Sequence, residues 1–247
     1  MILLVDVGNS RIKWVRVGGR RVARSHAALY GRWRAADYRR LFAGSPQRAL
    51  IASVAAPEVA RALRAAARRA RVPVTFVTVP RRAAGVAVGY RDPWRLGVDR
   101  FVALVGARRL FPAVPVLVAG IGTALTLDLL DAGGHHRGGV IVPGPKLMVE
   151  SLLTKTHGIR RRARGGGART GTLFGRSTRE AIHSGALFAP AALIDRAAQE
   201  ARARLGRMPL VVLMGGDAPS VRPLLASAVV GVPDLVLKGL AALATQD

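Results

Sequence analysis

ILLVDVGNSRIK (residues 2–13) and VLVAGIGTALTLD (residues 116–128) decide how this chain is read. Each begins as an apolar, β-rich run, turns through small residues, and leaves in hydroxyl-bearing and apolar residues. Setting Gly8 on Gly122 places Asn9-Ser10 on Thr123-Ala124 and Asp6 on Gly120. An element written twice in one chain points to a duplicated structural unit. The second copy has lost its carboxylate, and that loss needs an explanation.

Working outward, the first copy continues into RIKWVRV (11–17) and RVARSHA (21–27), separated by Gly18-Gly19-Arg20, and reads as a three-stranded antiparallel meander. A helix around ADYRRLFAG, a buried strand in RALIASVA and a helix opened by Pro57-Glu58 and running to about Arg71 come next. Strand VPVTFVTV, a loop over RRAAGVAVGYRDPWRLGVDR and the apolar helix FVALVGARRLF complete the first half. Between Pro112 and Pro115 the pattern restarts. PVLVAGIG, TALTLDLLD and GGVIVPG are three strands, followed by a helix around KLMVESLLTK. THGIRRRARGGGARTG (156–171) has no apolar period and is read as a mobile surface loop. A helical stretch from about Ser177 to Leu205 should kink or break at Pro190. Strand MPLVVLMGG, a helix near SVRPLLASA and a last helix close the chain. The expectation is an α/β fold with the order β-β-β-α-β-α-β-α occurring twice, in domains 1–113 and 114–247.

With 247 residues, half of them hydrophobic, the chain can build one large or two small cores. The absence of Cys excludes disulfides, zinc-thiolate sites and a Cys nucleophile. MILLVDVGNS lacks the basic start and long apolar stretch of a signal peptide, and no apolar run reaches the ~18 residues that span a bilayer. A cytoplasmic protein with no membrane partner is expected. The formal charge of +25 comes almost wholly from arginine, spread along helical stretches such as ARALRAAARRAR (60–71). Aromatics make up only 5% and do not interleave with the basic residues, so the charge is read as attracting small anions rather than marking a nucleic-acid surface.

Asp6-Val7-Gly8-Asn9-Ser10 ends a buried strand with a carboxylate and a glycine turn. A nest of N–H groups there, with Ser10 and Lys13 nearby, can cradle phosphate oxygens while Asp6 holds Mg²⁺ directly or through water. Gly122-Thr123-Ala124 repeats the idea, and GGVIVPG (138–144) and GGDA (215–218) add turns that let a nucleotide approach the backbone. Gly97-Val98-Asp99-Arg100 precedes an apolar helix. Asp99 there is either a capping carboxylate or a base taking a proton from a substrate hydroxyl, with Arg100 for an anionic group and Tyr90 walling the pocket. Ser177 and Glu180 have capping-box spacing, which places Thr178 in a first helical turn that favours an anion. The five histidines show no metal spacing, and His135-His136 reads as a solvated turn.

VDVGNSRIK, then Y-x-x-P-x-x-x-GVDR, GTALTLD, GGVIVPG and STREAIHSG, in that order between residues 2 and about 186, resemble type III pantothenate kinases, and GGDA matches a later glycine turn. The resemblance implies a duplicated actin-like (ribonuclease H-like) fold, shared with acetate and sugar kinases and heat-shock chaperones, with the active site in the cleft between domains. It implies an ATP-dependent kinase that phosphorylates pantothenate in the first step of coenzyme A synthesis. Asp6, Val7, Gly8, Asn9, Ser10, Arg11, Ile12 and Lys13 would contact ATP phosphates and organise Mg²⁺, and Thr123 would contact ATP from the second domain. Tyr90, Gly97, Val98, Asp99, Arg100 and Thr178 would bind pantothenate, with Asp99 as the base. A homodimer is implied as well.

The resemblance also bears on the lost carboxylate. Such kinases usually carry Asp-x-Gly-Thr-Ala in the second block, with the Asp tied to a bound monovalent cation (K⁺ or NH₄⁺). Gly120 stands there instead, so the usual cation site is in doubt, and an arginine or a main-chain arrangement could take over its electrostatic role. Two other readings remain open: a non-catalytic regulatory or nucleic-acid-associated protein of the same fold, and a kinase of another small hydroxy acid.

Overall fold

The structure, a computed structural model, describes residues 1–18, 21–22, 24–164 and 171–245. Contacts divide the chain into two compact units. Unit 1 comprises 1–113, 134–136 and 234–247; unit 2 comprises 114–133 and 137–233.

Unit 1 begins with β1 (Ile2–Val7) and β2 (Arg11–Gly18), followed by β3 (Arg21–Val22) and β4 (His26–Leu29). It continues with α1 (Ala35–Leu41), β5 (Arg48–Ser53), α2 (Pro57–Ala70) and β6 (Val74–Phe76). β7 (Arg82–Ala83) pairs with β8 (Val86–Ala87), and α3 spans Val98–Leu110. The main sheet runs β3-β2-β1-β5-β6, with β4 also on β2. β1 is antiparallel to β2 and parallel to β5. It is central and covered on both sides: Leu3, Val5 and Val7 join Leu41, Phe42, Ile51 and Leu63 in one core, and Leu4 is fully buried as well. That double burial explains why ILLVDV is a continuous apolar run rather than an alternating one.

Unit 2 has β9 (Val116–Ile121), β10 (Ala124–Leu130), β11 (His136–Pro143), α4 (Pro145–Lys155), α5 (His157–Arg162) and α6 (Thr178–Leu205). β12 (Leu210–Met214), α7 (Ala218–Val221) and β13 (Val229–Gly231) complete it. Its sheet order, β11-β10-β9-β12-β13, repeats that of unit 1 strand for strand, and β9 is antiparallel to β10 and parallel to β12. Ile121, Leu125, Ala191, Ile194, Ala198, Val211 and Leu213 form its core.

The last helix, α8 (Leu235–Ala244), packs in unit 1 against α3 and β1. The α3–α8 contact is backbone-close. A Cβ added at Gly239 would lie 1.9 Å from the Val102 carbonyl oxygen, and one at Gly106 would lie 2.5 Å from that of Leu235. Arg100 through Ala107 are buried without interruption, so α3 has no solvent face there.

Several expectations are corrected. The third strand is split into β3 and β4, both paired with β2. The stretch 81–100 is not all loop, since it holds the β7–β8 hairpin and a 3-10 turn over Pro93–Arg95. Residues 157–162 of the expected surface loop are helical, while 165–170 lie outside the described residues. α6 runs unbroken through Pro190. Pro190 is itself buried, and the hydrogen bond lost at its missing N–H does not end the helix. The capping box at α6 is displaced by one residue: Ser177 Oγ accepts from the Glu180 N–H at 3.2 Å, but the Glu180 carboxylate accepts from the Arg176 N–H.

Candidate active site

In unit 1 the first hairpin closes at Val7↔Ile12, with Gly8 N–H donating to the Arg11 carbonyl at 3.0 Å. The Tyr30 hydroxyl lies 2.7 Å from the carbonyl oxygens of both Gly8 and Asn9. Those carbonyls are thus drawn back toward β4. An anion approaching the exposed Asn9-Ser10-Arg11 tip meets less carbonyl repulsion. Nothing in the sequence had marked Tyr30.

Just inside this turn, Asp6 and Lys13 are directly opposed on β1 and β2. Burial pushes the Asp6 carboxyl up from 3.8 to about 7, and the negative charge of Asp99 pushes the same way. Lys13 opposes the rise, and Asp234 adds to it. Lys13, Asp99 and Asp234 therefore all act on Asp6 within unit 1, although they lie at positions 13, 99 and 234. Lys13 Nζ donates to Asp234 Oδ1 at 2.8 Å, and the Ser25 hydroxyl donates to Asp234 Oδ2. Burial alone would raise the Asp234 carboxyl. The hydrogen bonds from Lys13 and Ser25, with the charges of Lys13 and Lys238, carry it below the ordinary carboxylate range.

Asp99 is the second residue of α3, after the N-cap Gly97, and its Oδ1 accepts the Arg100 N–H at 2.9 Å. A Cβ at Gly97 would lie 2.7 Å from Asp99 Oδ1, so the glycine leaves room for that carboxylate. Arg100 is buried, and its Nη1 donates to the Tyr90 hydroxyl at 3.2 Å. The His136 ring lies against that of Tyr90, tilted by 35° with the centroids 5.4 Å apart. The expected solvated turn at His135-His136 is thus corrected for His136, which is 2% exposed at the start of β11.

Unit 2 carries Thr123, Thr178 and Gly120. Thr123 is exposed at the β9–β10 turn, where Gly122 N–H donates to the Ala124 carbonyl at 3.0 Å. Both later glycine turns converge on it: the Gly144 N–H donates to the Thr123 carbonyl and the Asp217 N–H to that of Ile121. A Cβ at Gly144 would lie 1.9 Å from the Gly122 oxygen, and one at Gly215 2.2 Å from the Ile121 oxygen. Lys146 pairs with Asp217 beside them. Thr178 is the first residue of α6.

At position 120, one residue inside the second closure, a Cβ would meet Thr126 Oγ1 at 2.9 Å and Met214 Cε at 3.1 Å. The volume a carboxylate would need is occupied by a thioether and a hydroxyl. The residues present do not fit a carboxylate-held monovalent cation.

A family model described as type III pantothenate kinase matches residues 2–200. The chain belongs to the type III pantothenate kinase family. The type III pantothenate kinase of Stenotrophomonas maltophilia (strain R551-3) is 40% identical over 238 residues, covering 96% of this chain and 95% of that one. That of Nitrosococcus oceani is 35% identical over 255 residues, covering 99% and 94%. Among solved structures, a Campylobacter jejuni protein provisionally named a Baf family transcriptional activator superposes with a TM-score of 0.62 at 16% identity, covering 99% of this chain and 98% of that one. A glucokinase from an Antarctic psychrotroph does so at 0.50 and 12%, covering 100% and 99%. At those identities the likeness speaks to fold alone, and the fold it supports for this member of the type III pantothenate kinase family is the duplicated actin-like one. No helix among the described residues is long and apolar enough to cross a membrane.

Proposed function

We propose that this protein transfers the γ-phosphoryl group of ATP to the primary hydroxyl of pantothenate, forming 4′-phosphopantothenate for coenzyme A synthesis. The observation that carries this reading is the grouping of Asp6, Lys13 and Asp99 in one unit, with Asp6 raised by burial and by the Asp99 charge beneath a tied-back turn.

Phosphoryl transfer asks the protein mainly for positioning and charge stabilisation. The Asn9-Ser10-Arg11 tip and Lys13 take the nucleotide's phosphates, and Thr123 contacts ATP from the second repeat. Tyr90, Arg100 and Thr178 bind pantothenate, with the Arg100 guanidinium, held by the Tyr90 hydroxyl, answering its carboxylate. Asp99 accepts the hydroxyl proton as the oxygen bonds to the γ-phosphorus and the bond to ADP breaks. Asp6 suits Mg²⁺, which takes one or two carboxylates together with phosphate oxygens. A carboxylate made costly by burial and by neighbouring negative charge is stabilised by a bound cation. Mg²⁺ held there would neutralise charge on the phosphates. For a monovalent cation we propose independence, because Gly120 brings no carboxylate.

We further infer that residues 1–113 and 114–247 are the two inherited repeats and that the protein is a cytoplasmic homodimer. The last point is supported by exposed apolar side chains on unit 2. Val140 and Ile141 lie on β11, the terminal strand of its sheet, and Leu147 and Leu152 on α4. Such surface on an edge strand calls for a covering partner.

The test is ADP release by the purified protein with Mg²⁺, with and without pantothenate and across a panel of hydroxy acids. Release that depends on pantothenate supports the reading; release with a different acid, or none at all, overturns it.

A further inference from the structure

Lys13 has two carboxylates to choose from. On the antiparallel β1–β2 pair it stands directly opposite Asp6, and opposed residues share a face with their Cβ atoms about 5 Å apart. Yet its ammonium is bonded to Asp234 Oδ1 at 2.8 Å, and Ser25 occupies the other oxygen of that carboxylate. Asp234 is held firmly. Its backbone is left-handed, at φ 58°, in the residue before α8, and its carbonyl accepts the Lys238 N–H at 3.0 Å. α8 is in turn fixed on α3 by the Gly106 and Gly239 backbone contacts, and α3 carries Asp99 at its start. The anchor for Lys13 is thereby built on the same helix pair that places the base.

We propose that Asp234 is a positioning residue for phosphoryl transfer: with Ser25 it holds the Lys13 ammonium off Asp6, which keeps that carboxylate open to a metal–nucleotide complex and Lys13 aimed at the polyphosphate. Without this anchor Lys13 falls onto Asp6, and the two groups cancel each other where both are needed. The inference rests on the reading of Lys13 and Asp6 as nucleotide-binding groups.

A double-mutant cycle on the full chain tests it, with KM for Mg·ATP, KM for pantothenate and the thermal midpoint measured for each variant. Asp234→Asn is the probe because Asn tolerates the left-handed conformation, so the backbone before α8 is kept. It should raise KM for Mg·ATP about tenfold with little change in KM for pantothenate. Asp234→Glu should recover part of that loss, and Ser25→Ala should act in the same direction more weakly. In a Lys13→Met background, adding Asp234→Asn should shift KM for Mg·ATP by less than about twofold, because the interaction it removes is already gone. An equal loss in both backgrounds would reduce Asp234 to a helix-start residue and overturn the proposal, as would an unchanged KM in Asp234→Asn. If Lys13→Met itself leaves KM for Mg·ATP unchanged, the nucleotide role of Lys13 falls and this inference falls with it. Should Asp234→Asn fail to fold, the Ser25→Ala and Lys13→Met pair decides by the same comparison.

Discussion

Val7↔Ile12 closes the first hairpin and Ile121↔Leu125 the second, and in each the leading strand runs parallel to the next strand of its sheet, β5 or β12. One position inside the closure the two part company. Asp6 faces Lys13, whereas Gly120 faces Thr126 and leaves its space to Met214. The first turn has its carbonyls tied back by a tyrosine hydroxyl; the second is braced by backbone at Gly144 and Gly215. A shared backbone frame has thus been divided into a charged half and a neutral half. Duplication supplies the geometry twice, but the chemistry has to be kept only once.

That contrast can be broken from the charged side first. Asp99→Asn should lower kcat by about 10²–10⁴-fold, the usual worth of a general base, with the fold and ATP binding kept. Near-normal turnover would remove Asp99 from the chemistry. Writing the second hairpin's residue into the first, Asp6→Gly, should lower kcat/KM by about 10²–10³-fold in Mg²⁺. If it does not, the two hairpins are more interchangeable than their residues suggest.

The same carboxylate predicts a pH effect on stability. Folded Asp6 keeps its proton to about pH 7, whereas the unfolded chain releases it near 3.8. The folded state therefore binds the extra proton between those values, and the Asp6 contribution to stability falls as pH rises through that window. Thermal midpoints of the nucleotide-free protein at pH 5.5 and 7.5 should show this trend relative to Asp6→Asn, in which it should flatten. An identical pH profile in the variant would mean Asp6 ionises normally.

How far the sequence reveals all this depends on what kind of contact is involved. The repeat was legible because both leading strands are buried on two faces and so write themselves as uninterrupted apolar runs. Asp6 and Asp99 were legible because each lies two residues from a glycine near the end or start of an element, and Lys13 because it follows the Gly8-Asn9-Ser10 turn. Asp234 was not singled out, although Pro233-Asp234 before an apolar helix is an ordinary start signal. Its meaning comes from Lys13, more than two hundred positions away. Tyr30 and Met214 carry no local mark at all, since one acts through its hydroxyl on a distant turn and the other by filling a vacated volume. At Pro190 the expected break does not occur, since α6 continues through it with the proline buried.

Smaller changes probe the neutral half. Gly215 sits at φ 99° against the Ile121 carbonyl, so Gly215→Ala should cost about 1–3 kcal/mol of stability, read as a lower thermal midpoint. The smallest effect, and the sharpest, belongs to position 120. Gly120→Asp combined with Met214→Ala restores a carboxylate and clears its space. It should introduce a modest K⁺ stimulation of a kinase that otherwise turns over in K⁺-free, Na⁺-free buffer. Strict K⁺ dependence of the unaltered protein would show that the cation is held by other oxygens.

The return of α8 to unit 1 sets an order of events during synthesis. β1 through α3 leave the ribosome early, but Gly239, which packs on the Val102 carbonyl of α3, and the carboxylate that anchors Lys13 arrive only with the residues after Pro233. The whole of unit 2 is translated in between. The first hairpin therefore exists in the nascent chain well before the Lys13–Asp234 pair can form, and on the proposed roles of Lys13 and Asp234 competence for chemistry would come only with α8.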